Sequence, residues 1–189
     1  HSKKVDGIVF TGGEPLLQAN SLRKLFPLLK GDGFLLKLET SGYYPEALSD
    51  LLPFLDYVQF DVKTRLEPEL YCAAVGKVVP GEVILSKVLC SLAFLENSKF
   101  PVFKEFSVKV MQGNNDDFQT IDSIASYVKT YCDLFTLRQG SKGSTPQENA
   151  GQENAFVSKE RVFELAMMAR NILPLVAVET IDGKFEQLK

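Results

Sequence analysis

Hydrophobic and polar positions along this chain switch repeatedly between two periods. Ile8-Val9-Phe10, between Gly7 and Thr11, form a short apolar run, which predicts a buried strand over 7–11. From Asn20 to Lys30, Leu22, Leu25, Phe26 and Leu29 recur at helical spacing, and Gly31-Asp32-Gly33 stops the pattern. Phe34 to Thr40 reads as the next strand, Pro45 to Leu52 as a short helix with Pro at its first turn, and Tyr57 to Val62 as a third strand. Residues 63–80 are irregular and longer than a usual connection. A helix follows over 82–95, then a strand over 104–111 with Phe106, Val108 and Val110 on one face. Asp116 or Asp117 caps a helix running to Tyr131, and Leu134 to Arg138 is a strand. Ser158 caps another helix, with Arg161 where a capping box has its acidic partner. Leu175 to Ile181 is the last strand, and the hydrophilic tail 182–189 is expected to turn away.

Six strands alternating with five helices predict an α/β fold with a parallel sheet and right-handed crossovers, an open or partial barrel. Ligands in such sheets bind at the C-terminal strand ends. Glu14, Glu39, Asp61, Lys63 and Arg138 each close or follow a predicted strand, so they are expected to gather at one rim. Polar residues also occur wherever strands give way to loops, and Gly12-Gly13-Glu14-Pro15 by itself also fits an ordinary strand-to-helix turn. Its two glycines let a ligand approach the backbone, and Glu14 offers a carboxylate to a cationic group such as an amine. Asp61 and Lys63 share one strand face, and the ammonium of Lys63 suits a carboxylate. Lys63 or Lys109 as a desolvated Schiff-base nucleophile is a rival reading. Arg138 and Gln139 are candidates for hydroxyl or carboxylate recognition, and Lys109 and Gln112 have similar standing.

Length narrows the organisation to one domain over 1–189, with a flexible loop at 140–156 rich in Gly, Ser, Gln, Asn and Glu. A net charge of −3 carries no electrostatic footprint for nucleic acid. No apolar run approaches the ~20 residues that cross a bilayer. Cys72, Cys90 and Cys132 are too few and too scattered for a disulfide framework or a compact metal motif, which points to a reducing, cytoplasmic setting. Cys90 and Cys132 are expected in the core and Cys72 nearer the surface. The single histidine, His1, is terminal, so histidine acid–base chemistry is not expected.

Thr11-Gly12-Gly13-Glu14-Pro15 after a buried strand resembles the S-adenosylmethionine motif of the radical SAM enzymes. The fuller run from Thr11 to Gln18, followed in order by Glu39-Thr40-Ser41-Gly42 and Asp61-Val62-Lys63-Thr64, is similar to the activating enzymes of glycyl radical proteins, those of anaerobic ribonucleoside-triphosphate reductase and pyruvate formate-lyase. The resemblance spans nearly the whole chain and implies a truncated radical SAM core, a partial (β/α)6 open TIM-like barrel with its first strand missing. It implies two cofactors, S-adenosylmethionine and a [4Fe–4S] cluster. The family's Cys-x3-Cys-x2-Cys loop is not in this sequence, so no catalytic or metal residue is expected here and the fragment alone is expected to be inactive. For the intact protein it implies anaerobic, reductive cleavage of S-adenosylmethionine to place a glycyl radical on a partner enzyme, with flavodoxin or ferredoxin as reductant.

The same resemblance implies site roles. Gly12, Gly13 and Glu14 hold the amino group, with Pro15 closing the motif, and Lys63 meets the carboxylate. Asp61 and Glu39 organise the floor, Thr40 and Ser41 lie beside the ligand, and Arg138 stands at the far rim. In some activases the positions of Glu39, Thr40 and Asp61 surround a monovalent cation; Glu39 stands where an aspartate is common. The alternatives are a 7-carboxy-7-deazaguanine synthase-like enzyme, which shares the Thr11–Gln18 and Glu39–Gly42 runs, and a non-catalytic SAM-binding or docking barrel. Without a first strand, the edge at Ile8-Val9-Phe10 is expected to drive self-association or to leave the N-terminus disordered.

Overall fold

The computed structural model describes residues 5–76, 79–140 and 156–188. Six parallel strands lie side by side in chain order: β1 (Gly7–Phe10), β2 (Leu35–Thr40), β3 (Tyr57–Asp61), β4 (Phe103–Val110), β5 (Leu134–Gln139) and β6 (Val176–Glu179). The expected open α/β sheet is thus present. Because strand order follows chain order and crossovers are right-handed, successive helices pack on the same face. These are α1 (Ala19–Gly31), α2 (Pro45–Leu51), α3 (Pro68–Ala74), α4 (Gly81–Glu96), α5 (Phe118–Val128) and α6 (Lys159–Ala169).

The register separates the two faces of the sheet. Leu36 and Leu38 of β2, Val58 and Phe60 of β3, Phe106 and Val108 of β4, and Phe135 and Leu137 of β5 are fully buried under the helices. Burial of each is worth roughly 1.5–3 kcal/mol. The alternate positions Lys37, Glu39, Tyr57, Gln59, Asp61, Glu105, Ser107 and Arg138 form a polar opposite face. Parallel sheets are usually apolar on both faces; this one is open on one side, and its polar side chains stand there.

Four expectations are corrected. The tail does not turn away: β7 (Phe185–Leu188) pairs antiparallel with β6. Ile181-Asp182-Gly183 is a three-residue hairpin loop, with Gly183 at φ +77° and Thr180 N–H bonded to Lys184 O at 2.9 Å. Asp-Gly after an apolar run was a legible turn signal. The stretch 63–80 is not wholly irregular, since it contains α3. Cys90 is exposed rather than buried. Nearly every position of α4 near Cys90 is apolar, so periodicity alone did not choose its inner face, which carries Ile84, Leu85, Val88, Ser91, Leu92 and Leu95. Cys72 is half-buried, not at the surface, while Cys132 is buried as expected, and burial pushes its thiol up to about 12. Among the described residues β1 pairs only with β2. The expected loop at 140–156 lies, except for its first and last residues, outside the described residues, as do the first four residues of the N-terminus.

Candidate functional site

At the end of β1, Gly12 adopts φ +119° and Gly13 faces open space, leaving their backbone reachable. The chain then enters a 3-10 turn, Pro15–Gln18, capped by Glu14, whose Oε1 accepts the Leu16 N–H at 3.2 Å. Glu14 also reaches across to the end of β2. Its Oε1 accepts the Thr40 hydroxyl at 2.8 Å, and its Oε2 accepts the Ser41 N–H at 3.0 Å and the Ser41 hydroxyl at 2.6 Å. Thr11 donates to Glu39 at 2.7 Å, making a second tie between the same two strand ends.

The turn after β2 is clamped from the helix side as well. The Ser91 hydroxyl on α4 donates to Gly42 O at 2.7 Å, and the Gly42 N–H donates to the Thr40 hydroxyl at 3.1 Å. Gly42 has φ +75°, and a Cβ there would stand 2.1 Å from the Phe60 ring. Only glycine satisfies both conditions.

Asp61 is the electrostatic hub at the end of β3. Its carboxylate pairs with Lys63 and with Arg138 Nη2 at 3.1 Å, and accepts from the Ser107 hydroxyl at 3.3 Å. Two cations thus share one half-buried anion. Lys63 is held at its backbone too: Asn115 donates to Lys63 O at 2.7 Å and to Lys109 O at 3.0 Å, binding the ends of β3 and β4 together. Deeper on the polar face, buried Glu105 pairs with Lys37 at 3.3 Å and accepts the Tyr57 hydroxyl at 2.8 Å. Burial and this carboxylate raise the Tyr57 hydroxyl well above its ordinary range.

Thr11, Gly12, Gly13, Glu39, Thr40, Ser41, Gln59, Asp61, Lys63 and Arg138 line one cavity of about 220 Å³. Glu14 stands behind it, on an adjoining apolar cavity of about 280 Å³ that also touches Ser41 and Lys63. Pro15 shapes the turn and does not line the cleft. Lys109 borders a different hollow, beside Arg138 and Glu179. Gln139 is absorbed by structure: it donates to Val157 O at 2.7 Å and accepts the Ile181 N–H at 3.1 Å. Sequence reasoning missed Gln59, Ser91, Ser107 and Asn115. The first three lie within predicted strands and helices and carry no motif; Asn115 sat beside the aspartates read only as caps. Among the described residues, no three His, Cys, Asp or Glu side chains are placed to hold a metal ion, and no helix is long and apolar enough to cross a membrane.

No family model matches the chain. A Methanocaldococcus jannaschii protein named for glycyl-radical enzyme activation is 32% identical over 187 residues, covering 96% of this chain and 73% of that protein. The 7-carboxy-7-deazaguanine synthase of Thermococcus kodakarensis is 42% identical over 59 residues, 31% of this chain and 23% of its own length. A crystal structure of a domain of the pyruvate-formate lyase-activating enzyme from Bacteroides vulgatus superposes with a TM-score of 0.67, covering 92% of this chain and 99% of that domain. At 15% identity that likeness concerns the fold alone.

Proposed function

Because the chain belongs to the family of glycyl-radical enzyme activating enzymes, which are radical SAM enzymes, we propose that its strand-end cleft binds S-adenosylmethionine for an activase. The observation that carries this reading is the meeting of Gly12-Gly13, Thr40-Ser41, Asp61-Lys63 and Arg138 around one cavity. The donor set suits an amino acid end. The glycine carbonyls are open to an ammonium group, and Lys63 and Arg138 are cations for a carboxylate. Asp61 holds both cations in place and offsets part of their charge. A ligand carboxylate would join Asp61 on these two cations, which keep further N–H donors free, so Asp61 orients the carboxylate site and does not compete for it. Glu39 and Thr11 close the floor. The Lys37 ammonium lies 3.8 Å from Glu39, which works against a monovalent cation at that carboxylate.

In this family the ligand, cleaved reductively with a [4Fe–4S] cluster, is the source of the radical passed to a glycine of the partner. The residues described here do not fit that cluster: the cysteines stand on α3, on α4 and beyond α5. Its thiolates would come from the family's Cys-x3-Cys-x2-Cys loop, and the contribution of this chain is binding and orientation. The partner is a glycyl radical enzyme, with flavodoxin or ferredoxin as reductant. Among the described residues β1 is the outermost strand of the sheet, which supports self-association through that edge, and sedimentation tests it.

A deazaguanine synthase-like reading is favoured only by a 59-residue similarity, while the activase similarity covers 96% of the chain. The experiment is calorimetric titration with S-adenosylmethionine of the wild type and of Asp61→Asn. The variant leaves Lys63 and Arg138 facing each other without their anion, and a loss of about tenfold or more in affinity is expected. Equal affinities would refute the assignment of this cleft.

A further inference from the structure

Glu14 has no acceptor capacity left for a ligand. An ionised carboxylate offers about four lone-pair sites. Here four donors occupy them: Leu16 N–H and the Thr40 hydroxyl on Oε1, Ser41 N–H and the Ser41 hydroxyl on Oε2. Every donor belongs to the protein, and two are backbone groups that have no rotamer in which to leave. The turn that carries Thr40 and Ser41 is braced independently by Ser91 on Gly42 O and by the Phe60 ring under Gly42. Glu14 therefore fastens the end of β1 to an already rigid turn, across 26 residues of chain.

We infer that Glu14 is a positioning residue, which sets the spacing between the Gly12-Gly13 backbone and Thr40-Ser41 across the cleft and does not itself receive the ligand's amino group. The inference rests on the reading of this cleft as the S-adenosylmethionine site. Its consequence is a dependence of affinity on residues that touch no ammonium group. Glu14→Gln replaces one oxygen by an NH2 group, which leaves either the Leu16 N–H or the Ser41 N–H without its acceptor. Thr40→Val keeps shape and removes the hydroxyl that donates to Glu14 and accepts the Gly42 N–H. Thr40→Ser keeps the donor.

Two probes are titrated: S-adenosylhomocysteine, which carries the ammonium group, and 5′-methylthioadenosine, which lacks the amino acid end and reports on the rest of the cleft. A positioning role predicts that Glu14→Gln weakens S-adenosylhomocysteine by about tenfold, because the Gly12-Gly13 carbonyls shift. Thr40→Val, which touches no ammonium group, should weaken it as well, the double variant should lose less than the product of the two, and Thr40→Ser should bind within about twofold of wild type. If Glu14→Gln weakens S-adenosylhomocysteine and Thr40→Val leaves its affinity unchanged, Glu14 is an ammonium ligand and the inference is overturned. If the wild type binds neither probe, the cleft assignment fails, and urea unfolding of the same variants decides the tie alone. Non-additivity of about fivefold or more in the unfolding constant supports it, and additivity overturns it.

Discussion

Replacing Gly42 by Ala tests the geometry on which the site depends. Two costs act together. The residue sits at φ +75°, where an L side chain meets its own backbone, a penalty of roughly 1–2 kcal/mol. The new Cβ would also lie 2.1 Å from Phe60 Cζ and 2.4 Å from Cε2. Phe60 is fully buried beneath the helices, so its ring has little space to withdraw, and overpacking of this kind costs about 1–3 kcal/mol. The sum is a destabilisation of about 2–5 kcal/mol. For a chain of this length each kcal/mol lowers Tm by roughly 2–4 °C, so Gly42→Ala should melt roughly 4–20 °C below wild type in a calorimetric scan. Phe60→Leu removes the ring atoms that collide. In that background the same change should retain only the backbone penalty, about 1–2 kcal/mol. A Gly42→Ala protein melting within 2 °C of wild type would refute the reasoning, as would an unchanged cost in the Phe60→Leu background.

Two further outcomes concern chemistry away from the cleft. Iodoacetamide followed by peptide mass analysis should find Cys90 alkylated in the native protein and Cys132 protected until unfolding, since Cys132 is buried with its thiol raised to about 12; early modification of Cys132 would show its surroundings to be open. Asp182 accepts from the Thr180 hydroxyl and from Lys159, which hold its carboxyl down to about 2 from an ordinary 3.8. A depressed carboxylate contributes stability that is present above its unfolded pKa and lost as pH falls through the folded one, so the Lys159 tie to the β6–β7 turn should fail between about pH 4 and pH 2. Carboxyl NMR should report titration near 2 in the wild type and a rise toward 3.8 in Lys159→Ala; a wild-type value at 3.8 would refute the tie.

Much of this protein was legible in its residue pattern because the signals are local. Apolar runs bounded by glycine predicted β1 and β2, helical spacing predicted α1, a capping aspartate predicted α5, and their alternation predicted a parallel sheet with polar residues at the strand ends. The Gly12-Gly13-Glu14-Pro15, Glu39–Gly42 and Asp61–Thr64 runs marked three of those ends, and the order of the strands brought them to one cleft. The errors were also local in origin. An evenly apolar α4 hid which way Cys90 points, and an Asp-Gly turn passed as a tail. What tertiary structure alone decided is how the site's charges are spent. Glu14 reaches Thr40 and Ser41, 26 and 27 residues away, and Arg138 reaches Asp61 across 77. Those pairings depend on the register of parallel strands, and a shift by one residue would turn every such side chain to the opposite face. Sequence periodicity names the residues at a strand's end, but only the packed register determines which carboxylate is already filled by neighbouring donors and which cation remains within reach of a ligand.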